Sequence, residues 1–161
     1  MVDKINELLE ANIIHESMSP YSASCMLVNK PDDSHRLVVD FWRLNDKIAG
    51  DKYPLPELMS VINQLGKTKY FSTLDSCSGF FQIPVYEWDR YKLAFSTTSG
   101  HYDFNRAPLG LKTSPSVYQR LMGIVLKGVK GKICFVYMMI SLYLVRHQNS
   151  ILKDCKLFLT Y

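Results

Sequence analysis

A chain of 161 residues with 47% hydrophobic content has the length of one domain and enough apolar material to fill a core, which excludes a disordered or low-complexity segment. Four cysteines without a C-x-x-C pair, and four histidines that do not cluster with them, argue against a zinc site or a secreted disulfide framework. The net charge of +4 is unevenly spread: residues 104–161 hold nine of the 19 Lys and Arg residues but only Asp154 of the 15 acids, a pattern open to two readings, a polyanion partner such as nucleic acid or a solvated lysine face.

The polar start Met1-Val2-Asp3-Lys4 is unlike a secretory signal. Asp3 is placed to cap a helix with Ile5, Leu8, Leu9 and Ile13 at helical spacing. Residues 24–29 and 35–41 read as the strands of a hairpin around the turn Pro31-Asp32-Asp33-Ser34. Residues 46–56 read as a loop, because Pro54 and Pro56 bar regular pairing. Leu58, Val61, Ile62 and Leu65 predict a helix over 57–65, stopped by Gly66. Residues 69–74 read as a strand that delivers Asp75 at its end, and 91–97 and 101–106 as a hairpin around Ser99-Gly100. Ser114-Pro115 opens a helix, cap and then proline, with Tyr118, Leu121, Met122 and Val125 facing inward. Residues 132–138 read as an apolar strand within the run 133–145, which is broken only by Ser141 and falls short of the ~20 residues of a membrane span. Strands and helices mix without β-α-β alternation, so the expected fold class is α+β. An intracellular location without a membrane is expected, and oligomeric state is left open.

Several stretches in order resemble the reverse transcriptase of gypsy-type LTR retrotransposons. They are Ile13-Ile14-His15-Glu16-Ser17 with Ser19-Pro20-Tyr21-Ser22, Arg36 to Phe41 with Leu44-Asn45, Asp51 to Pro56, Tyr70 to Asp75, Ser78-Gly79-Phe80 with Gln82-Ile83, Gly100-His101-Tyr102, Pro108-Leu109-Gly110-Leu111, and Ser114-Pro115 leading to Gln119-Arg120-Leu121-Met122. Each fragment alone is weak, and their order over residues 1–138 makes the resemblance specific. It implies the fingers and partial palm of a right-hand polymerase, a template-primer of RNA or DNA, an incoming dNTP, and Mg²⁺.

The residues follow from phosphoryl transfer by two metal ions, which need hard carboxylate oxygens to hold them together. Asp75 matches the family's first metal-binding aspartate. Phe80 matches the aromatic gate that excludes a ribose 2′-hydroxyl, Lys30 and Arg36 match the bases that hold the triphosphate, and Pro108-Leu109-Gly110 matches the loop beside nucleotide and template. Taken without the resemblance, Asp75 is a turn residue, Phe80 a core phenylalanine, and Lys30 with Arg36 a solvated surface. His35, Trp42-Arg43 and Leu109 depart from the family's usual tryptophan, arginine with a small residue, and phenylalanine.

The decisive departure follows Phe135-Val136-Tyr137-Met138. Where the family carries Asp-Asp, this chain carries Met139-Ile140, and no acid occurs between Asp103 and Asp154. A thioether is a soft, poor ligand for Mg²⁺. Loss of one base from a string coding Tyr-Met-Asp-Asp-Ile yields Tyr137-Met138-Met139-Ile140-Ser141, and restoring it lets the following codons read Asp-Asp-Ile-Leu-Ile-Phe-Ser-Lys-Thr-Pro-Glu-Gln-His-Leu-Lys, similar to the family's continuation. Residues 1–138 are therefore expected to be a fingers and palm fragment and 139–161 an out-of-frame tail, without the rest of palm, thumb, RNase H or integrase. The expected function is an inactive polymerase fragment with Mg²⁺ not productively held; the alternatives are a residual nucleic-acid-binding module using Lys30, Arg36, Lys112 and Arg120, or a transposon relic with an exposed strand end.

Overall fold

The computed structural model describes residues 1–31, 34–65, 70–131, 134–137 and 140–145. The chain divides into two compact units, Met1–Gly50 with Phe80–Ser114, and Asp51–Gly79 with Pro115–Tyr161.

In the first unit, α1 (Val2–Glu10) starts one residue before Asp3, which lies in its first turn instead of capping it. Ile5 and Leu8 carry the buried face. The helix also stops before Ile13: Asn12 takes φ 53, turning the chain into β1 (Ile14–Glu16), so the helical spacing of Ile13 is accidental. The predicted hairpin is β2 (Cys25–Asn29) and β3 (His35–Val39), while Asp32 and Asp33 of its turn lie outside the described residues. The expected loop is overturned at its start, where α2 (Trp42–Lys47) forms. The Asp40 carboxylate accepts the Trp42 N–H at 3.0 Å, satisfying one of the donors that every helix start leaves free.

The second unit begins with α3 (Leu58–Leu65) and β4 (Tyr70–Asp75); the expected stop at Gly66 lies outside the described residues. The chain then returns to the first unit through a 3₁₀ turn, Gly79–Gln82. There α4 (Glu87–Arg90) precedes the expected strand, and the 3₁₀ turn Tyr91–Leu93 replaces that strand's start. The hairpin proper is β5 (Phe95–Thr97) with β6 (Gly100–Phe104). Strand order β1-β6-β5 makes one antiparallel sheet of this unit and β2-β3 the other. Their shared core includes Ile5, Leu37, Val39, Phe41, Phe95 and Phe104.

The second unit resumes with α5 (Ser114–Val125), β7 (Cys134–Tyr137) and β8 (Ile140–Val145). On α5, Tyr118 is buried as expected, but Val125 is 48% exposed and Leu126 takes the inward place beside Cys134 and Val136. The apolar run expected to hold one strand holds two. β8 is the middle strand of a sheet ordered β4-β8-β7 and is antiparallel to both neighbours, so β7, the strand with the end expected to be exposed, is paired along one side with β8. Lys132, Ile133, Met138, Met139 and residues 146–161 lie outside the described residues.

Asp103 on β6 is 4% exposed, a costly place for a carboxylate without partners. The Ser17 hydroxyl donates to its Oδ2 at 2.8 Å, and His15 Nδ1, across the ladder on β1, stands 2.9 Å from Oδ1 without a hydrogen bond's alignment. Removing the Ser17 donor strands that carboxylate in the interior, so Ser17→Ala is expected to lower the unfolding free energy by about 1–3 kcal/mol. A urea midpoint that does not move would withdraw this role from Ser17.

Candidate functional site

In the β2–β3 hairpin, the register Cys25↔Val39, Leu27↔Leu37 turns one face toward the core, and Met26↔Val38, Val28↔Arg36 turns the other outward. Met26 is 60% and Val28 44% exposed, so the outward face is an apolar strip that ends at Arg36. Lys30 lies just past the last pair and its N–H donates to the Ser34 carbonyl at 2.8 Å. It lines a groove of about 500 Å³ against α1, together with Leu27, His35, Asp3, Lys4 and Glu7. Lys30 thus borders this groove, two residues on from Val28, the register partner of Arg36.

The Pro108-Leu109-Gly110 loop is held by side chains that come from both of its flanks. Ser114, buried at the start of α5, donates its hydroxyl to the Pro108 carbonyl at 3.1 Å. The Asn45 amide reaches from α2 and closes two bonds: its NH₂ donates to the Gly110 carbonyl at 2.8 Å, and its oxygen accepts the Lys112 N–H at 2.7 Å. Gly110 sits at φ +88, and a Cβ there would lie 3.2 Å from the Val39 carbonyl oxygen, so the turn needs glycine for both conformation and space. The Lys112 ammonium lies 3.5 Å from the Asn45 and Ile48 carbonyls at the C-terminal end of α2, where a cation is favourable. Phe80 is buried.

In the second unit the expected catalytic positions are strand ends. Asp75 closes β4 and is exposed. Its register partner on β8 is Ile140, which also pairs with Tyr137 on β7. Ile140 is 46% exposed, and its position brings no carboxylate opposite Asp75. Met139 lies outside the described residues. Among the described residues, no three His, Cys, Asp or Glu side chains gather where they could hold a metal ion.

α5 fastens both outer strands near this point. The Tyr118 hydroxyl donates to Ser76 Oγ at 2.5 Å, one residue past Asp75, and the buried Gln119 amide donates to the Val136 carbonyl at 3.0 Å. Neither contact is readable in the sequence, where each partner is a separate fragment. The next residue, Arg120, donates from one Nη to both carboxylate oxygens of Asp51 at 2.7 and 2.9 Å and lies over the Tyr53 ring, 4.8 Å from its centre. A Cβ on Gly123 would stand 2.6 Å from the Tyr53 hydroxyl, so that glycine admits the ring. The Arg120 bond, then the Tyr53 N–H, hold the Asp51 carboxyl below its ordinary range. Two bases assigned to a nucleic-acid footprint, Lys112 and Arg120, thus already have partners within the chain.

Residues 28–152 match the family described as reverse transcriptase (RNA-dependent DNA polymerase). The chain is 44% identical over 139 residues to the retrovirus-related Pol polyprotein from transposon opus of Drosophila melanogaster, an alignment covering 83% of this chain and 14% of that protein. It is 38% identical over 164 residues to the corresponding polyprotein from transposon gypsy of the same species, covering 94% and 16%. The fold is similar to that of a foamy viral protease-reverse transcriptase solved in complex with RNA/DNA hybrid, with a TM-score of 0.85 and 23% identity, over 96% of this chain and 20% of that one. The chain thus spans about one seventh of the length of the curated relatives it matches.

Because the folded Asp51 carboxyl titrates below its unfolded value, the stabilisation it brings is complete above an unfolded pKa of about 3.9 and disappears as pH falls through the lower folded value. Arg120→Ala is expected to return the Asp51 titration toward the ordinary carboxylate range and to flatten that acid-side loss. Carbon-detected NMR titration of the Asp51 carboxyl measures it; an unaltered midpoint in the variant would contradict the assignment.

Proposed function

The chain belongs to the reverse transcriptase (RNA-dependent DNA polymerase) family, as a domain of the gypsy-type retrotransposon Pol polyprotein, and on that premise we propose that it is a fingers and partial palm fragment unable to polymerise DNA. The observation that carries this reading is the ladder pairing of Asp75 with Ile140. Directly opposed residues on adjacent strands share a face, with Cβ atoms ~5 Å apart. A carboxylate at 140 would face Asp75, whereas an isoleucine offers no ligand there. Two Mg²⁺ ions about 4 Å apart repel by ~17 kcal/mol at an effective dielectric of about 20. One exposed carboxylate at position 75, with a thioether at 139 and an alkyl side chain at 140, does not fit that pair of ions.

The proposed boundary is the one drawn from the codons: fragment 1–138 and out-of-frame tail 139–161. A shifted frame is compatible with the strand found at Ile140–Val145. The sequence present, Ile-Ser-Leu-Tyr-Leu-Val, and the restored one, Asp-Ile-Leu-Ile-Phe-Ser, are both rich in residues that suit a strand. The pairing of β8 with β4 and β7 therefore does not depend on the catalytic residues being present.

The same chain retains a surface for nucleic acid without chemistry. The outward strip Met26, Val28 and Val38 offers apolar contact, and Arg36 at its end offers a phosphate contact. Lys30, Arg36, Phe80, Pro108, Leu109 and Gly110 remain the proposed nucleotide positions, and template-primer the proposed partner. Primer extension by the purified chain with Mg²⁺ or Mn²⁺ is expected to give no incorporation; templated incorporation that Asp75→Ala abolishes would overturn the proposal. Binding to an RNA/DNA hybrid is expected to weaken with salt, and Arg36→Ala to reduce the log–log salt slope by about 1. A slope unchanged by that substitution would remove Arg36 from the surface. The nucleotide sequence across codons 137–141 tests the frame directly.

A further inference from the structure

Strand alternation gives the β5–β6 ladder two faces of different character. Phe95 and Tyr102 oppose one another on the face buried in the core, and Ser96 and His101 oppose one another on the other face. Ser96 is exposed and His101 half-buried. Ser96 Oγ stands 2.8 Å from His101 Nδ1, and His101 Nε2 stands 3.1 Å from the Ser19 carbonyl oxygen. Ser22 Oγ, also exposed, stands 2.7 Å from Ser96 Oγ. All four residues belong to the first unit. The carbonyl at one end sets the protons of this relay. A carbonyl only accepts, so Nε2 carries the hydrogen of the neutral imidazole and Nδ1 keeps a lone pair. Ser96 therefore donates its hydroxyl hydrogen to Nδ1, and its oxygen accepts from Ser22. The backbone around the pair is tied down as well. The Ser17 N–H donates to the His101 carbonyl at 3.0 Å, and the Cys25 thiol donates to the Ser96 carbonyl at 3.3 Å. Burial pushes the Cys25 thiol up from its ordinary range, so it stays a donor and does not compete as a thiolate.

We propose that Ser96 is a nucleophile, with His101 as its general base, toward small activated acyl donors such as aryl esters of short carboxylic acids. A hydroxyl bonded to a base that a third group orients is the arrangement that activates a serine. The Ser96 oxygen attacks the ester carbonyl carbon as its hydrogen passes to His101 Nδ1. The bond from that carbon to the aryl oxygen breaks, and the leaving oxygen takes the proton from Nδ1. Water, giving its proton to the same nitrogen, then attacks the acyl-serine, and release of the carboxylic acid returns the hydrogen to Ser96. The Ser22 hydroxyl, freed from the Ser96 lone pair during attack, is a donor for the oxyanion. Ser96 and Ser22 lie on an exposed strand face, so the donors are small ones whose reactivity comes from the leaving group. A single hydroxyl in place of a full oxyanion hole makes the turnover slow. This chemistry is independent of the nucleotide positions proposed above.

The full chain treated with a fluorophosphonate probe, whose fluoride a serine oxygen displaces, should take up one phosphonyl group, located to Ser96 by peptide mass spectrometry. Ser96→Ala should take up none at that peptide. His101→Gln should slow labelling about a hundredfold, the low end of what a positioned base supplies. With 4-nitrophenyl acetate, the wild-type chain should release a burst of one 4-nitrophenol per chain and then turn over slowly, and Ser96→Ala should lose both phases. Ser96→Cys should keep the burst, which a hydroxyl that only braces the strand would not explain. Circular dichroism checks that each variant folds. A label found on Cys77, a lysine or the terminal amine in place of Ser96 defeats the proposal. So does a labelling rate that His101→Gln leaves unchanged, or a burst that survives in Ser96→Ala.

Discussion

An antiparallel ladder admits no half-steps: moving a strand by one residue turns every side chain to the other face. In the β4-β8-β7 sheet this constraint settles which residue meets Asp75. Six pairs between β4 and β8, from Tyr70↔Val145 to Asp75↔Ile140, and four between β7 and β8 lock the register from both sides. The result is a strand end in which Asp75 and Ile140, the two positions on which the proposal turns, are neighbours. The proposed loss of polymerisation is a loss of ligands at this place, within a ladder whose pairing is complete.

The rest of the construction serves to hold strand ends and turns by polar side chains from distant segments. Tyr118 and Gln119, adjacent on α5, reach Ser76 and Val136 and so tie β4 and β7 to one helix. Asn45 does the corresponding work in the other unit, gripping the turn at Gly110 through both ends of its amide. Each such bond is worth about 1 kcal/mol net, but a buried amide left without a partner costs more, so these contacts specify geometry as much as they add stability. The commitment of Arg120 to Asp51 and of Lys112 to the end of α2 follows the same logic. It reduces the basic surface that charge counting suggests is free.

Much of the fold is legible in local pattern. The hairpin of β2 and β3, the helices α3 and α5 and the strand that ends at Asp75 stand close to where periodicity and turn residues put them. The misses have local causes. α2 hides because Trp42-Arg43-Leu44-Asn45 shows no amphipathic repeat, and it forms against Asp40 and Lys112. Tyr91 to Leu93 has strand-forming residues, yet it turns because Leu93 is drawn into the core. An unbroken apolar run gives no period from which to divide β7 from β8.

The sequence by itself determined the family, because side-chain identity in a fixed order is enough for it, and it supplies Met139-Ile140, on which the proposed loss of polymerisation rests. Only the tertiary structure decided that Ile140 stands opposite Asp75, that Lys30 borders a groove against α1, and that Asn45 holds the loop at Gly110. These are relations between segments tens of residues apart. Strand register and packing create them, and no local propensity encodes them.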